Sequence, residues 1–295
     1  MRRPVSTGLR ISILLLAGVL ASCSGTAAPD ILTTSTILAD LTRNVVGDRL
    51  SVGPLLPVGA DPHSYQPTPQ DSAKVSEAKV LVVNGAEYEQ FLEPLLGNAD
   101  GERPLIEASA GLRLRTEEEH GTDPHLWLDP TNVMVYVENI RDGLEKLDPD
   151  GAEEYQTNAS SYIAQLQELD AWINGQIAQI PPQRRVLVTN HEAFGYFAER
   201  YGFTVVGTVI KSFSSDASPS AQQMADLIEQ IKLYEAPAIF LDASDNPALA
   251  QQIAAETGAK MVTDLHLESL TNGPPAETYI GMMKYNVTKI IEALE

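Results

Sequence analysis

Between Ala152 and Ile180, apolar residues recur at Tyr155, Tyr162, Leu166, Leu169, Ile173 and Ile177, and those intervals of three, four and seven place them on one face of a helix. No proline interrupts the run, Gly175 is its one weak point, and Pro181-Pro182 ends it. Such a helix of about 28 residues is a rod about 42 Å long, as long as a small domain. In a chain of 295 residues it is a natural divider. The reading therefore places one lobe at residues 31–147, a linking helix at 148–181 and a second lobe at 182–295.

On both sides of the rod, short β-rich runs alternate with amphipathic helical runs. In the first half, strands are predicted at 31–36, 52–57, 80–84 and 105–107, with helices at 38–46, 69–78, 87–96 and 130–147. Asp129 or Thr131 would cap the last of these. The second half repeats the pattern, with strands at 185–189, 204–209, 238–241 and 260–262, and helices at 193–201, 220–234, 248–256 and 275–294. Strands separated by helices imply parallel sheets covered on both faces. The expected fold class is α/β: two lobes, each a mainly parallel sheet flanked by helices, joined by one long backbone helix.

The pentapeptide pattern G-x-D-P-H occurs twice, as Gly59-Ala60-Asp61-Pro62-His63 and Gly121-Thr122-Asp123-Pro124-His125. Proline fixes its own φ and keeps the preceding residue out of the helical region, so each histidine is delivered by a stiff turn. That suits a side chain which must be aimed, and the chain holds only five histidines. His63 follows a predicted strand, where open α/β sheets bind their ligands. His191 follows the strand ending at Thr189, and Asp264 follows the one ending at Val262. His63, His125, His191 and Asp264 are thus candidate metal ligands, though Asp264 is also placed as a helix cap. Asp242, after Ile239-Phe240-Leu241, is a competing carboxylate. Asp61 and Asp123 could accept a hydrogen bond from a ligand imidazole and fix its tautomer, or simply form their turns. Glu192, beside His191, either offers an extra oxygen or starts the next helix. Trp127 reads as core beneath the site.

A formal charge of -20 argues against a nucleic-acid surface, because little here could neutralise a run of phosphates. An acidic body attracts cations and is repelled by anionic lipid, so membrane association calls for a dedicated anchor. Arg2, Arg3 and Arg10 precede an apolar run from Ile11 to Leu20 that is too short to span a bilayer and reads as a secretory signal over residues 1–22. Leu20-Ala21-Ser22-Cys23 resembles the lipobox of bacterial lipoproteins, which implies lipidation of Cys23, the one cysteine in the chain. Residues 23–30 would then be a tether holding the folded part outside the cytoplasm. Neither a P-loop nor a dinucleotide fingerprint is present.

Taken together, four stretches resemble the metal-binding solute-binding lipoproteins of bacterial ABC transporters for zinc and manganese. They are Gly59 to Pro69, Asp123 to Pro130, Asn190 to Phe197, and Thr263-Asp264 with Thr278 to Asn286. The resemblance covers nearly the whole chain from Ile31 to Glu295, and it implies ligands at His63, His125, His191 and Asp264. It further implies a monomer that passes a divalent metal to an ABC permease. Three imidazoles and a carboxylate suit Zn2+, whereas Mn2+ favours more oxygen. Manganese-binding members often carry glutamate at the position of His191, so the resemblance tilts towards zinc, with manganese as the alternative. The histidine-rich loop of many zinc members is here only Thr116 to Thr122, with His120 among three glutamates, and it reads as an exposed acidic loop. Affinity is expected to fall as pH drops below about 6.5, because the ligating imidazoles must be neutral. Two other classes stay open: a zinc hydrolase, disfavoured because His191-Glu192 does not continue into H-E-x-x-H, and an adhesin that uses metal for structure.

Overall fold

The computed structural model describes residues 28–98, 103–117, 121–215 and 217–295. The predicted signal segment, Cys23 and His120 lie outside them. In the first half, β1 (Ile31–Thr33), α1 (Thr36–Val46), β2 (Val52–Pro54), α2 (Pro69–Glu77), β3 (Val80–Val83), α3 (Glu93–Asn98) and β4 (Leu105–Glu107) follow one another. A small antiparallel pair, β5 (Thr116–Glu117) and β6 (Gly121–Thr122), precedes α4 (Pro130–Leu147) and the long α5 (Ala152–Ile177). The second half contains β7 (Val186–Thr189), α6 (Gly195–Tyr201), β8 (Thr204–Thr208), α7 (Ala221–Leu233), β9 (Ala238–Asp242), α8 (Ala248–Thr257), β10 (Lys260–Leu265) and α9 (Tyr279–Leu294).

Two parallel sheets result, in the orders β2-β1-β3-β4 and β10-β9-β7-β8. Both follow one rule: the second strand of each half lies on one side of the first, and the third and fourth lie on the other. The order therefore reverses beside β1 and beside β7, and at such switch points the loops at the strands' C-terminal ends part to leave a crevice. Strands β3 and β7 are buried along their whole length, as parallel strands covered on both faces must be. The apolar stripe of α5 is buried at Tyr155, Ala159, Tyr162, Leu166, Leu169, Ile173 and Ile177. This helix packs against α1 and α4 from the first half and α9 from the second. One apolar core consequently runs through both lobes, from Leu41 to Phe240 and Met282.

Capping follows the residues present. Asp129 accepts from the Thr131 N–H at 2.8 Å and so begins α4. Thr68 and Asp71 form a reciprocal capping box at α2, and Ser220 and Gln223 do so at α7, each satisfying amides that the first turn leaves without partners.

Two departures from expectation bear on the cleft. The helix predicted at 87–96 is shortened to α3, because Ala86 and Glu87 have φ of 51° and 63°, incompatible with a right-handed helix. The Glu89 carboxylate instead turns back to accept from the Asn84 and Gly85 N–H groups and the Thr34 hydroxyl. Strand β10 runs on to Leu265 through a register irregularity after Val262, so Asp264 lies within a strand and not at its end.

Candidate metal centre

Each D-P-H motif closes the same small turn. The His63 N–H donates to Asp61 Oδ1 at 2.9 Å, and the His125 N–H donates to Asp123 Oδ1 at 3.0 Å. The aspartate side chain mimics a backbone turn, proline stiffens it, and the histidine is projected at a set angle. His191 is placed differently. It stands two residues beyond β7, where the Asn190 N–H donates to the Phe240 carbonyl and the Ile210 N–H to the Asn190 carbonyl. The Thr189 hydroxyl donates to the His191 carbonyl at 2.8 Å. Neighbouring strand ends in the second sheet thus clamp its backbone on both sides.

The three rings converge. Ring centroids are 5.6 Å apart for His63–His125 and for His63–His191, and 5.2 Å apart for His125–His191. The fourth member is Glu268, with one donor atom from each of His63, His125, His191 and Glu268 lying within 4.8 Å of the others. Glu268 Oε1 is 3.1 Å from His125 Nε2 and 3.4 Å from His191 Nε2. Even so, neither Glu268 oxygen nor His63 Nε2 has a properly directed hydrogen bond, although all three are buried. Buried polar atoms seldom go without partners, and a water or a cation between these groups would supply them.

Asp264 is not part of this cluster. Its partners are on α9, where Tyr285 donates to it at 2.5 Å and Lys289 pairs with it at 3.0 Å, its side chain about half exposed. The expected strand end fell short of the real one, and the loop beyond Leu265 carries the acid that reaches the cleft. A signal for it was present. In Leu265-His266-Leu267-Glu268 the two leucines mark the loop as buried, and a carboxylate held in such a loop needs a positive partner. Asp242 is also outside the cluster; its carboxylate accepts from the Leu267 N–H at 2.5 Å and from Ser244.

Asp123 accepts from His125 Nδ1 at 2.8 Å, so Nε2 faces the other donors. Asp61 does not reach the His63 ring in this way, because its second oxygen accepts from Ser64 and, across the cleft, from Ser215 at 2.6 Å. Glu192 lies outside the four-residue group and lines a separate cavity beside Lys211. Trp127 is buried core, as expected, and its indole N–H also donates to the Leu267 carbonyl at 2.8 Å.

Electrostatics separates the rings. Burial pushes His63 down to about 4. Burial acts on His125 in the same sense, but the Glu268 charge and the Asp123 hydrogen bond outweigh it and raise that imidazole to about 9. Burial would raise Glu268, yet His125 and His191 hold its carboxyl well below the usual range. Three neutral imidazoles and one carboxylate could enclose a divalent cation tetrahedrally. A cavity of about 340 Å³, lined by Tyr65, Tyr88 and Phe91 among others, opens beside His63, the one member of the group not fully buried.

Residues 31–293 match the family described as the zinc-uptake complex component A, periplasmic. The chain belongs to this family. It is 37% identical over 292 residues to the manganese-binding lipoprotein MntA of Halalkalibacterium halodurans, covering 97% of this chain and 96% of that one. The iron ABC transporter substrate-binding lipoprotein MtsA of Streptococcus pyogenes is 29% identical, over 99% of this chain and 98% of its own length. Among solved structures, the periplasmic zinc-binding protein TroA of Treponema pallidum superposes with a TM-score of 0.83 at 28% identity, covering 90% of this chain and 99% of that one. The manganese-bound periplasmic metal-binding protein of Candidatus Liberibacter asiaticus gives 0.80 at 29% identity over the same shares. Membership places the chain among the substrate-binding proteins of metal ABC transporters, which are transport components and not enzymes.

Proposed function

We propose that this protein captures a divalent transition metal outside the cytoplasm, holds it with His63, His125, His191 and Glu268, and presents it to an ABC permease for uptake. The observation that carries this reading is the convergence of three imidazoles and a buried carboxylate whose oxygens have no directed hydrogen bond. The cargo is Zn2+. Three nitrogen donors and one oxygen suit its borderline softness, and at any such site zinc outcompetes manganese by the ordinary stability order of divalent ions. Mn2+ is the second reading. It is favoured by the name of the relative 37% identical to this chain and by a carboxylate that could lend both oxygens to a harder ion. His63 and His125 come from the first half and His191 and Glu268 from the second, so a bound ion would link the lobes and give the permease two distinguishable forms of the protein. We further take the chain to be a monomer, anchored by lipid on Cys23.

A hydrolase reading is weaker, because catalytic zinc keeps a coordination position for water whereas here four protein groups converge on one point. Elemental analysis of protein purified without chelators, followed by competition between Zn2+ and Mn2+, tests the proposal. One equivalent of metal per chain, with Zn2+ displacing Mn2+, is expected. Protein that binds neither ion overturns it, and stoichiometric Mn2+ retained against Zn2+ replaces zinc with the second reading.

A further inference from the structure

Glu268 stands on a loop held largely through its backbone, its carboxylate meeting only the rings of His125 and His191. From the first lobe, the Trp127 indole donates to the Leu267 carbonyl at 2.8 Å, Thr36 Oγ1 accepts from the Leu270 N–H at 2.9 Å, and Ser269 Oγ accepts from the Gly59 N–H at 2.9 Å. From the second lobe Asn286 on α9 holds the His266 N–H and carbonyl at 2.9 and 2.6 Å, and nearer to Glu268 the anchor is Asp242, the last residue of β9 and 5% exposed. Its Oδ2 accepts from the Leu267 N–H at 2.5 Å and from the Glu268 N–H at 3.4 Å. Its Oδ1 accepts from the Ser244 N–H at 2.7 Å and the Ser244 hydroxyl at 2.6 Å. Three backbone N–H groups and one hydroxyl thus converge on this one carboxylate.

We propose that Asp242 is a positioning residue that sets the metal preference of the site by fixing where the Glu268 carboxylate stands relative to the three imidazoles. This rests on the metal-capture reading and adds to it a residue that touches no metal. An asparagine at position 242 keeps the shape but turns an NH2 towards one of the two donor pairs, which then lacks an acceptor. The Glu268 loop shifts, and the oxygen donor moves while the nitrogen donors stay. A harder ion depends on that oxygen more than zinc does. Removing a partner that holds a metal ligand in place typically costs about 10–100-fold in affinity.

The test is a double-mutant cycle read by calorimetry with Zn2+ and with Mn2+. Asp242→Asn is expected to weaken Mn2+ by about 10–100-fold and Zn2+ by less, moving the ratio of the two dissociation constants by about tenfold. In a Glu268→Gln background the same substitution should add less than about twofold, because residues acting through one group are not additive. Ser244→Ala, which removes one donor to Oδ1, should move the ratio the same way by a smaller factor, and it decides the matter if Asp242→Asn does not fold. An unchanged ratio, equal losses for both ions or additive losses overturn the positioning role. If those results come from wild-type protein that binds metal normally, only this inference fails; wild-type protein that binds neither ion overturns the capture reading as well.

Discussion

Two turns of identical pattern hold two histidines in opposite electrostatic states. The turn at Asp61-Pro62-His63 lies at the edge of the cleft, and its aspartate spends its second oxygen on Ser64 and Ser215. The turn at Asp123-Pro124-His125 is fully buried, and its aspartate grips the ring as well as the backbone. Burial therefore wins at His63, which is pushed down to about 4. At His125 burial loses to the charges of Glu268 and Asp123, and the ring rises to about 9. The lesson is that a motif specifies a backbone turn, whereas the protonation state of what it carries is set by neighbours from elsewhere in the chain.

The sharpest way to break this contrast is to remove each ring in metal-free protein. His125→Ala leaves the Glu268 carboxylate buried without its nearest cation, and losing one partner of a buried pair costs about 3–5 kcal/mol. His63→Ala removes a neutral, partly exposed ring and should cost about 1 kcal/mol, near the centre of the usual range. Denaturant unfolding of the two chelated variants checks this; equal losses would mean that the two rings share one charge state.

pH sharpens it next. His125 is protonated below about 9 in the metal-free protein and must be neutral to ligate, so binding at neutral pH should release close to one proton and weaken about tenfold for each unit of acidification from pH 9. That moves the onset of acid weakening well above the 6.5 expected from an unperturbed imidazole. Calorimetry in buffers of different ionisation enthalpy reads the proton count. In the metal-free state the signs also oppose. The raised pKa of His125 contributes stability that is complete below about 6.5 and lost as pH rises through about 9. The lowered pKa of His63 contributes stability present above about 6.5 and lost as pH falls through about 4. Chelated protein should therefore be most stable between those limits.

Smaller effects separate the aspartates. Asp123→Asn deprives His125 Nδ1 of its carboxylate and should cost about 10–100-fold in metal affinity, whereas Asp61→Asn, which meets the His63 backbone turn, Ser64 and Ser215 but not the His63 ring, should cost less than tenfold. Asp264→Ala, remote from the cluster, should leave affinity unchanged. A large loss there would restore Asp264 as a ligand.

Much of the architecture was legible in the sequence. The α5 stripe, the alternation of strands and helices, and the cap at Asp129 follow from spacing and local chemistry, and the stretch from Pro130 to Leu147 is helical end to end as read. His63, His125 and His191 were visible because stiff turns and strand ends announce themselves locally. Glu268 was harder to see: Leu265 and Leu267 hint at a buried loop, but the end of β10, which decides where the acid falls, depends on pairing with β9 and on a register irregularity, and neither leaves a local mark.

What the chain determines by itself is periodicity and turn chemistry, because both act between residues a few positions apart: two α/β halves, a long helix between them and three aimed imidazoles. Which acid completes the set, which aspartate reaches a ring, and which histidine carries a proton were decided only when distant segments packed together. Charge and burial act through space, and their balance at a buried site depends on groups that the sequence separates by a hundred residues or more.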